Sequence, residues 1–292
     1  GAIAYWGAKK NLDSEVETQK QRIDWIGNGL IVFISLSLIV PLIEGYSLGW
    51  QPWLLIMLAM SLPSIWGLNR WLKKPTADSR QAKLISTNLY KNRLFINQAF
   101  FTMLLGATTP GLFFVLAYYI QGVLGFSPFE SGVVTLAFPL GVLISSSVLK
   151  NSPLSWQRYR VLTGCFSLTI AWSMLYFTVS HVSEFNELYW ISFPLFIGGL
   201  GMGSAIIALF QSIMSNVDRE DSGAASGAMQ ALQHVGMAIG IGIAGQIYFI
   251  SLDLYEVPLL AMKNCVLYSA IMLAGFSLKS LYDLIRVDKQ CN

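Results

Sequence analysis

The feature that most constrains this chain is a series of long, uncharged, apolar runs. They lie at 25–43, 45–69, 94–129, 131–149, 161–183, 188–217 and 222–252, and an eighth from 257 to 278 is interrupted only by Lys263. Crossing about 30 Å of hydrocarbon takes roughly 20 such residues in a helix, because lipid offers no partner to backbone N–H and C=O groups. A barrel strand needs only about half that length, so these runs predict helices. The expected fold is an all-α, polytopic membrane bundle of eight spans, near 24–44, 51–72, 95–120, 131–149, 161–180, 188–214, 226–250 and 259–284. Composition agrees: 54% of the 292 residues are apolar and 12% charged, where a soluble domain carries about a quarter charged.

The basic residues give orientation. Eighteen of the nineteen Lys and Arg sit at alternate ends of these spans, in the groups Lys9 to Arg22, Arg70 to Arg93, Lys150 to Arg160, Arg219, and Lys279 to Lys289. The intervening loops 45–50, 121–130, 181–187 and 251–258 have none. Short cytoplasmic loops collect such residues during insertion, so 9–22 and the C-terminus are expected to be cytoplasmic, in a membrane of bacterial inner-membrane type. The net charge of +3 forms no basic face and no zinc motif accompanies it, so nucleic acid is not an expected partner. Cys165, Cys265 and Cys291 have no metal-ligand or disulfide spacing, and the first two lie in apolar runs, where a thiol packs as a small hydrophobe. With His181 and His234 as its two histidines, and neither a His-Glu-x-x-His nor a P-loop, the chain is not expected to be an enzyme or to hold a metal.

Hydrophilic stretches divide the chain. Residues 1–23 read as the tail of a preceding helix and a cytoplasmic linker, 24–72 as a two-helix hairpin, and 73–94 as a second cytoplasmic linker. A six-helix bundle is expected over 95–285 and a cytoplasmic tail over 286–292. Glu130-Ser131-Gly132 and Asp221-Ser222-Gly223 introduce the second helix of each half of this bundle, as an inverted three-plus-three repeat would. Ordinary helix capping explains the same residues equally well.

Several stretches in order carry a resemblance. The first helix begins Asp24-Trp25-Ile26-Gly27-Asn28-Gly29-Leu30, an Asp-x-x-Gly-x-x-Leu pattern. Tyr119 to Pro128 contains Gln121 and the turn Gly125-Phe126-Ser127-Pro128, and Pro139 follows in the next helix. Asp221 to Gly227 then leads into Gly236 and Gly240. Together these resemble the fourteen-span drug:proton antiporter branch of the major facilitator superfamily, over nearly the whole chain. The resemblance implies that the eight helices correspond to spans seven to fourteen, and that the partner of this chain is a missing N-terminal six-helix half. Two departures stand out. Where the family often has a Gly-x-x-x-Asp-Arg-x-Gly-Arg gate, this chain reads Ser145 to Pro153 without acid or glycine, and Leu232-Gln233-His234 replaces the usual Leu-Arg-Gln.

Ionisable and polar residues inside spans are functional candidates. Asp24, at the start of the first helix, and His234, in the seventh, are the coupling candidates; interfacial anchoring and a bond to a neighbouring helix are the respective structural alternatives. His234 shares a face with Gln230, Gln233 and Met237 at helical spacing. The third helix offers Asn97, Gln98, Phe101, Thr108 and Tyr118, and the resemblance places it at a central cavity with the sixth helix, which carries Ser204 and Gln211. The glycines of the sixth and seventh helices, with Gly27, Leu30, Gln121, Pro128, Pro139, Gly236 and Gly240 of the motifs, are read as packing and turn positions. The expected function is a secondary active transporter that exports amphipathic drugs by alternating access, with no cofactor and with the proton gradient as energy source. Small-molecule substrate and lipid bilayer are its expected partners. A metabolite or siderophore exporter, or a non-transporting scaffold or fragment, are the alternatives.

Overall fold

A computed structural model describes residues 24–73, 92–149, 153, 156–182, 187–218 and 221–291. The expected linker 1–23, residues 74–91 of the expected linker 73–94, Arg219, and all of the 150–155 loop except Pro153 lie outside them. The helices are α1 (Trp25–Glu44), α2 (Pro52–Lys73), α3 (Arg93–Tyr118), α4 (Pro128–Thr135), α5 (Ala137–Leu149), α6 (Gln157–Thr178), α7 (Tyr189–Met214), α8 (Ser222–Tyr255) and α9 (Pro258–Cys291). With α4 and α5 taken as one broken span, eight stretches are long and apolar enough to cross a membrane. This is an all-α bundle of the kind the apolar runs predict.

The connection from α3 to α5 shows how sequence sets these ends. A π-helical turn, Tyr119–Val123, closes α3, and Gly125 at φ +74° reverses the chain in a left-handed conformation that suits glycine. Ser127 then accepts the Glu130 amide at 3.3 Å while the Glu130 carboxylate accepts the Ser127 amide at 2.8 Å, a capping box with Pro128 in the first turn. The helix therefore starts at Pro128, three residues before the expected 131. Pro139 has no N–H to give Thr135 and crowds its carbonyl, and α4 ends at that residue. Glu130 thus lies inside a first turn, whereas Asp221 stands at the cap position of α8 with no side-chain cap bond. The two acid-Ser-Gly steps are not equivalent and do not mark a repeat.

Packing does carry a repeat-like pattern. α3 runs parallel to α8 with Met103 facing Gly236 and Ala107 facing Gly240, and α5 runs parallel to α7 with Phe138 facing Gly199 and Val142 facing Gly203. In each pair two glycines four residues apart sit against two backbone carbonyls four residues apart, so that a Cβ at any of them would collide with the partner's backbone. Between hydrocarbon-soluble helices such backbone contact supplies the dispersion attraction that apolar burial cannot. α7 also lies antiparallel to α6, where Gly164 and Gly201 meet, and α3 lies antiparallel to α9, where the Ser269 hydroxyl donates to the Thr108 carbonyl at 3.3 Å. The core between them holds Leu105, Leu112, Trp172, Leu195 and the buried thiols Cys165 and Cys265.

The α1–α2 hairpin stands to one side. Its contact with the bundle runs along α8, where Gly242 lies under Leu42, and the Gln246 amide donates to the Leu42 carbonyl at 3.0 Å. Farther along, the Tyr46 hydroxyl donates to the Asp253 carboxylate and its ring stacks on Phe249 at 5.6 Å.

Candidate functional site

The candidate residues separate into four places. The register that sets Met103 against Gly236 also brings Asn97 level with Gln230, and both are exposed. His234 is exposed one turn along from Gln230, with Gln233 and Met237 half-buried beside it, and the Gln233 and Met237 backbones line Gly106 of α3. Gln230, Gln233, His234 and Met237 therefore form one strip along α8, with Asn97 exposed at the same level of α3. Amide, imidazole and thioether groups there alternate donor, acceptor and polarisable apolar surface, a combination suited to an amphipathic organic molecule.

A second group is internal. Phe101 is 7% exposed and packs on Phe276 with ring centroids 5.5 Å apart, under the Lys279 ammonium at 4.8 Å. Thr108 is fully buried and its hydroxyl returns to the Leu105 carbonyl at 3.2 Å. The Ser204 hydroxyl donates to the Arg160 carbonyl at 3.2 Å. These side chains face helix–helix seams rather than the strip, because each finds its partner on its own or the adjacent helix.

The third group lies at the end of the bundle where Arg93, Arg160 and Lys279 are found, here called the basic end. Gln98 donates to the Ser212 hydroxyl and so ties α3 to α7, and Gln211 accepts from Nη1 of Arg160 at 3.1 Å. Sequence reasoning placed Arg160 among the loop cations. In the structure it lies in the first turns of α6, only 4% exposed. Its four-residue distance from Trp156, the cap residue, is the one signal that could have put it inside the helix. Tyr118 is apart from all of these, at the opposite end, with its ring edge-on to Tyr248 and Phe249.

The first motif has a structural account. The Asp24 carboxylate accepts the Gly27 amide at 2.8 Å and the Trp71 indole N–H at 3.2 Å, which caps α1 and clips it to the end of α2. A Cβ at Gly27 would lie 2.9 Å from the Asp24 carboxyl carbon, so a larger residue there would have to shift the capping carboxylate. Leu30 is half-buried in α1 and Gln121 is exposed in the π-helical turn. Lys263, in α9, lies 5.0 Å from the Tyr176 ring. Among the described residues no three His, Cys, Asp or Glu side chains gather as metal ligands.

A profile of the Major Facilitator Superfamily matches residues 24–241. The chain belongs to this superfamily. It is an integral membrane protein on the joint ground of that match and of the eight spans. Among curated relatives it is 24% identical over 238 residues to the probable actinorhodin transporter of Streptomyces coelicolor, which covers 79% of this chain and 40% of the relative. It is 22% identical over 255 residues to multidrug resistance protein 3 of Bacillus subtilis, covering 85% and 47%. A puromycin resistance protein of Streptomyces alboniger shares 30% over 135 residues, 46% of this chain and 27% of that protein. This superfamily member thus spans less than half the length of these relatives.

Proposed function

We propose that this chain is the C-terminal part, spans seven to fourteen, of a fourteen-span efflux transporter that exchanges amphipathic small molecules for protons by alternating access. The observation that carries this reading is the polar strip of Gln230, Gln233, His234 and Met237 on α8, with Asn97 exposed at the same level of the parallel α3, in a member of a transporter superfamily. Relatives named for actinorhodin transport and for multidrug and puromycin resistance support export as the direction and large organic molecules as the substrate class. An inverted arrangement of two three-helix sets, with the substrate near the bilayer midplane between halves, is the mechanism the paired seams accommodate. A six-helix N-terminal half is proposed to complete the cavity. His234 is the proposed proton carrier, being the ionisable group on the strip. Asp24 is proposed as a cap and clip, since its carboxylate is engaged by Gly27 and Trp71. The basic end faces the cytoplasm of a bacterial inner membrane in this reading.

The test is efflux of a fluorescent cationic dye by the full-length polypeptide in energised inverted vesicles. His234→Ala is expected to lower proton-driven efflux at least tenfold and Gln233→Ala to alter substrate range, with Lys263→Ala within twofold of wild type. Equal transport by all three variants at matched expression would remove the strip from the mechanism.

A further inference from the structure

Arg160 is the one arginine among the described residues that is buried, and its hydrogen bonding is lopsided. Nη1 donates to the Gln211 amide oxygen at 3.1 Å, whereas Nε and Nη2, both shut off from water, have no protein acceptor among the described residues. Those two atoms are neighbours on one edge of the guanidinium. Their N–H bonds point the same way, forming the fork that meets two oxygens of a carboxylate or phosphate side by side. A buried guanidinium with a neutral amide as its partner is expensive, and its charge is best balanced by an anion.

Two further features favour an oxyanion at this place. Trp156, the cap residue of α6, makes no side-chain cap bond, so the positive end of the helix dipole adds to the arginine. Side chains lean towards the N-terminus of their helix, which aims Arg160 at that end. Trp156 and Tyr159, both exposed, flank the start of α6 as aromatic residues do at the level of lipid headgroups.

We propose that the Nε–Nη2 edge of Arg160 is a phosphate-binding site at the start of α6, filled from the headgroup layer or by free phosphate. Gln211 is its positioning residue, holding Nη1 so that the opposite edge stays turned towards the ligand. The site is independent of the strip proposed for the exported molecule, since it lies between α6 and α7 and not on α8.

The experiment uses the full-length polypeptide in mild detergent. Native mass spectrometry counts retained phosphatidylglycerol, and thermal unfolding of delipidated protein is titrated with inorganic phosphate. Wild type should retain one phospholipid that R160Q loses, or show a phosphate-dependent rise in Tm whose midpoint R160Q moves at least tenfold; the first result assigns the headgroup, the second the free anion. R160K, with a charge but no fork, should fall between the two. Q211E leaves Arg160 in place but supplies a competing carboxylate, and should weaken phosphate at least tenfold even if R160Q fails to fold. Lipid retention and phosphate response unchanged in Q211E, and in R160Q where it folds, would overturn the site and leave Arg160 paired within the polypeptide.

Discussion

The central helices α3 and α7 of the six-helix bundle and the α1–α2 hairpin are built from spans of similar apolarity but bury very different shares of them, the outer α4–α5 span of the bundle resembling the hairpin at 17%. In α3 and α7, 67% and 61% of the apolar stretch is enclosed by protein, against 22% in α1 and 11% in α2, although α1 is the most apolar of all eight. Apolarity takes a helix into lipid, where a neighbouring helix is no better a solvent than an acyl chain. What separates the two regions is small residues at fixed spacing. Gly236 and Gly240 let α8 touch the α3 backbone, and Gly199 and Gly203 do so for α7 on α5, whereas Gly29 and Gly67 of the hairpin meet nothing within 4 Å.

The sharpest way to break this comparison is to add the same side chain in both regions. Gly240→Leu should drive a side chain into the Ala107 carbonyl and destabilise the bundle by about 3 kcal/mol or more, read as loss of Tm and of monodisperse protein in detergent. Gly67→Leu should leave both unchanged. Similar losses from the two substitutions would mean that glycine spacing does not distinguish the regions.

A smaller effect is expected where the hairpin meets the bundle. Gly242→Leu places atoms where Leu42 now lies, 2.6 Å from a Cβ at that position, and should part α1 from α8 without unfolding α3. Cysteines introduced at Tyr46 and Asp253 would report this as a crosslink that forms in the parent and fails in the glycine variant. A crosslink of equal yield in both would show that the hairpin is fastened elsewhere.

Within the hairpin, Asp24→Ala removes an N-cap and the Trp71 clip together and should cost about 1 kcal/mol, visible as increased quenching of Trp71 fluorescence with the bundle's Tm unchanged. The smallest effect concerns Tyr46. Its hydrogen bond to Asp253, reinforced by desolvation and by the carboxylate's charge, holds the phenol above its usual pKa of 10.0. A group raised in the folded state stabilises that state below its unfolded pKa and loses this contribution as pH rises through the folded value. The Tyr46–Asp253 tether is therefore complete at neutral pH and weakens only above about 10. Tyr46→Phe should abolish any alkaline change in hairpin protease sensitivity, and a wild-type-like alkaline profile in that variant would assign the change to another group.

The spans, their number and their all-α character were legible in the residues, because twenty uncharged apolar residues have one soluble arrangement in lipid and that is a helix. The Ser127-Pro128-Phe129-Glu130 restart was equally local, since every partner in a capping box lies within four residues. Which polar side chains stay exposed was not legible. Asn97 and Thr108 are both polar residues of α3, and only the register against α8 and α9 leaves one exposed and buries the other on Ser269. Arg160 could be counted as a loop cation until α6 was seen to enclose it, and the meeting of the Asp24 carboxylate with Trp71, 47 residues away, was not legible either. Sequence thus determined what this chain dissolves in and how its helices begin. Tertiary structure decided which polar groups meet one another, because those meetings depend on backbone contacts between segments more than a hundred residues apart, such as Gly240 on Ala107.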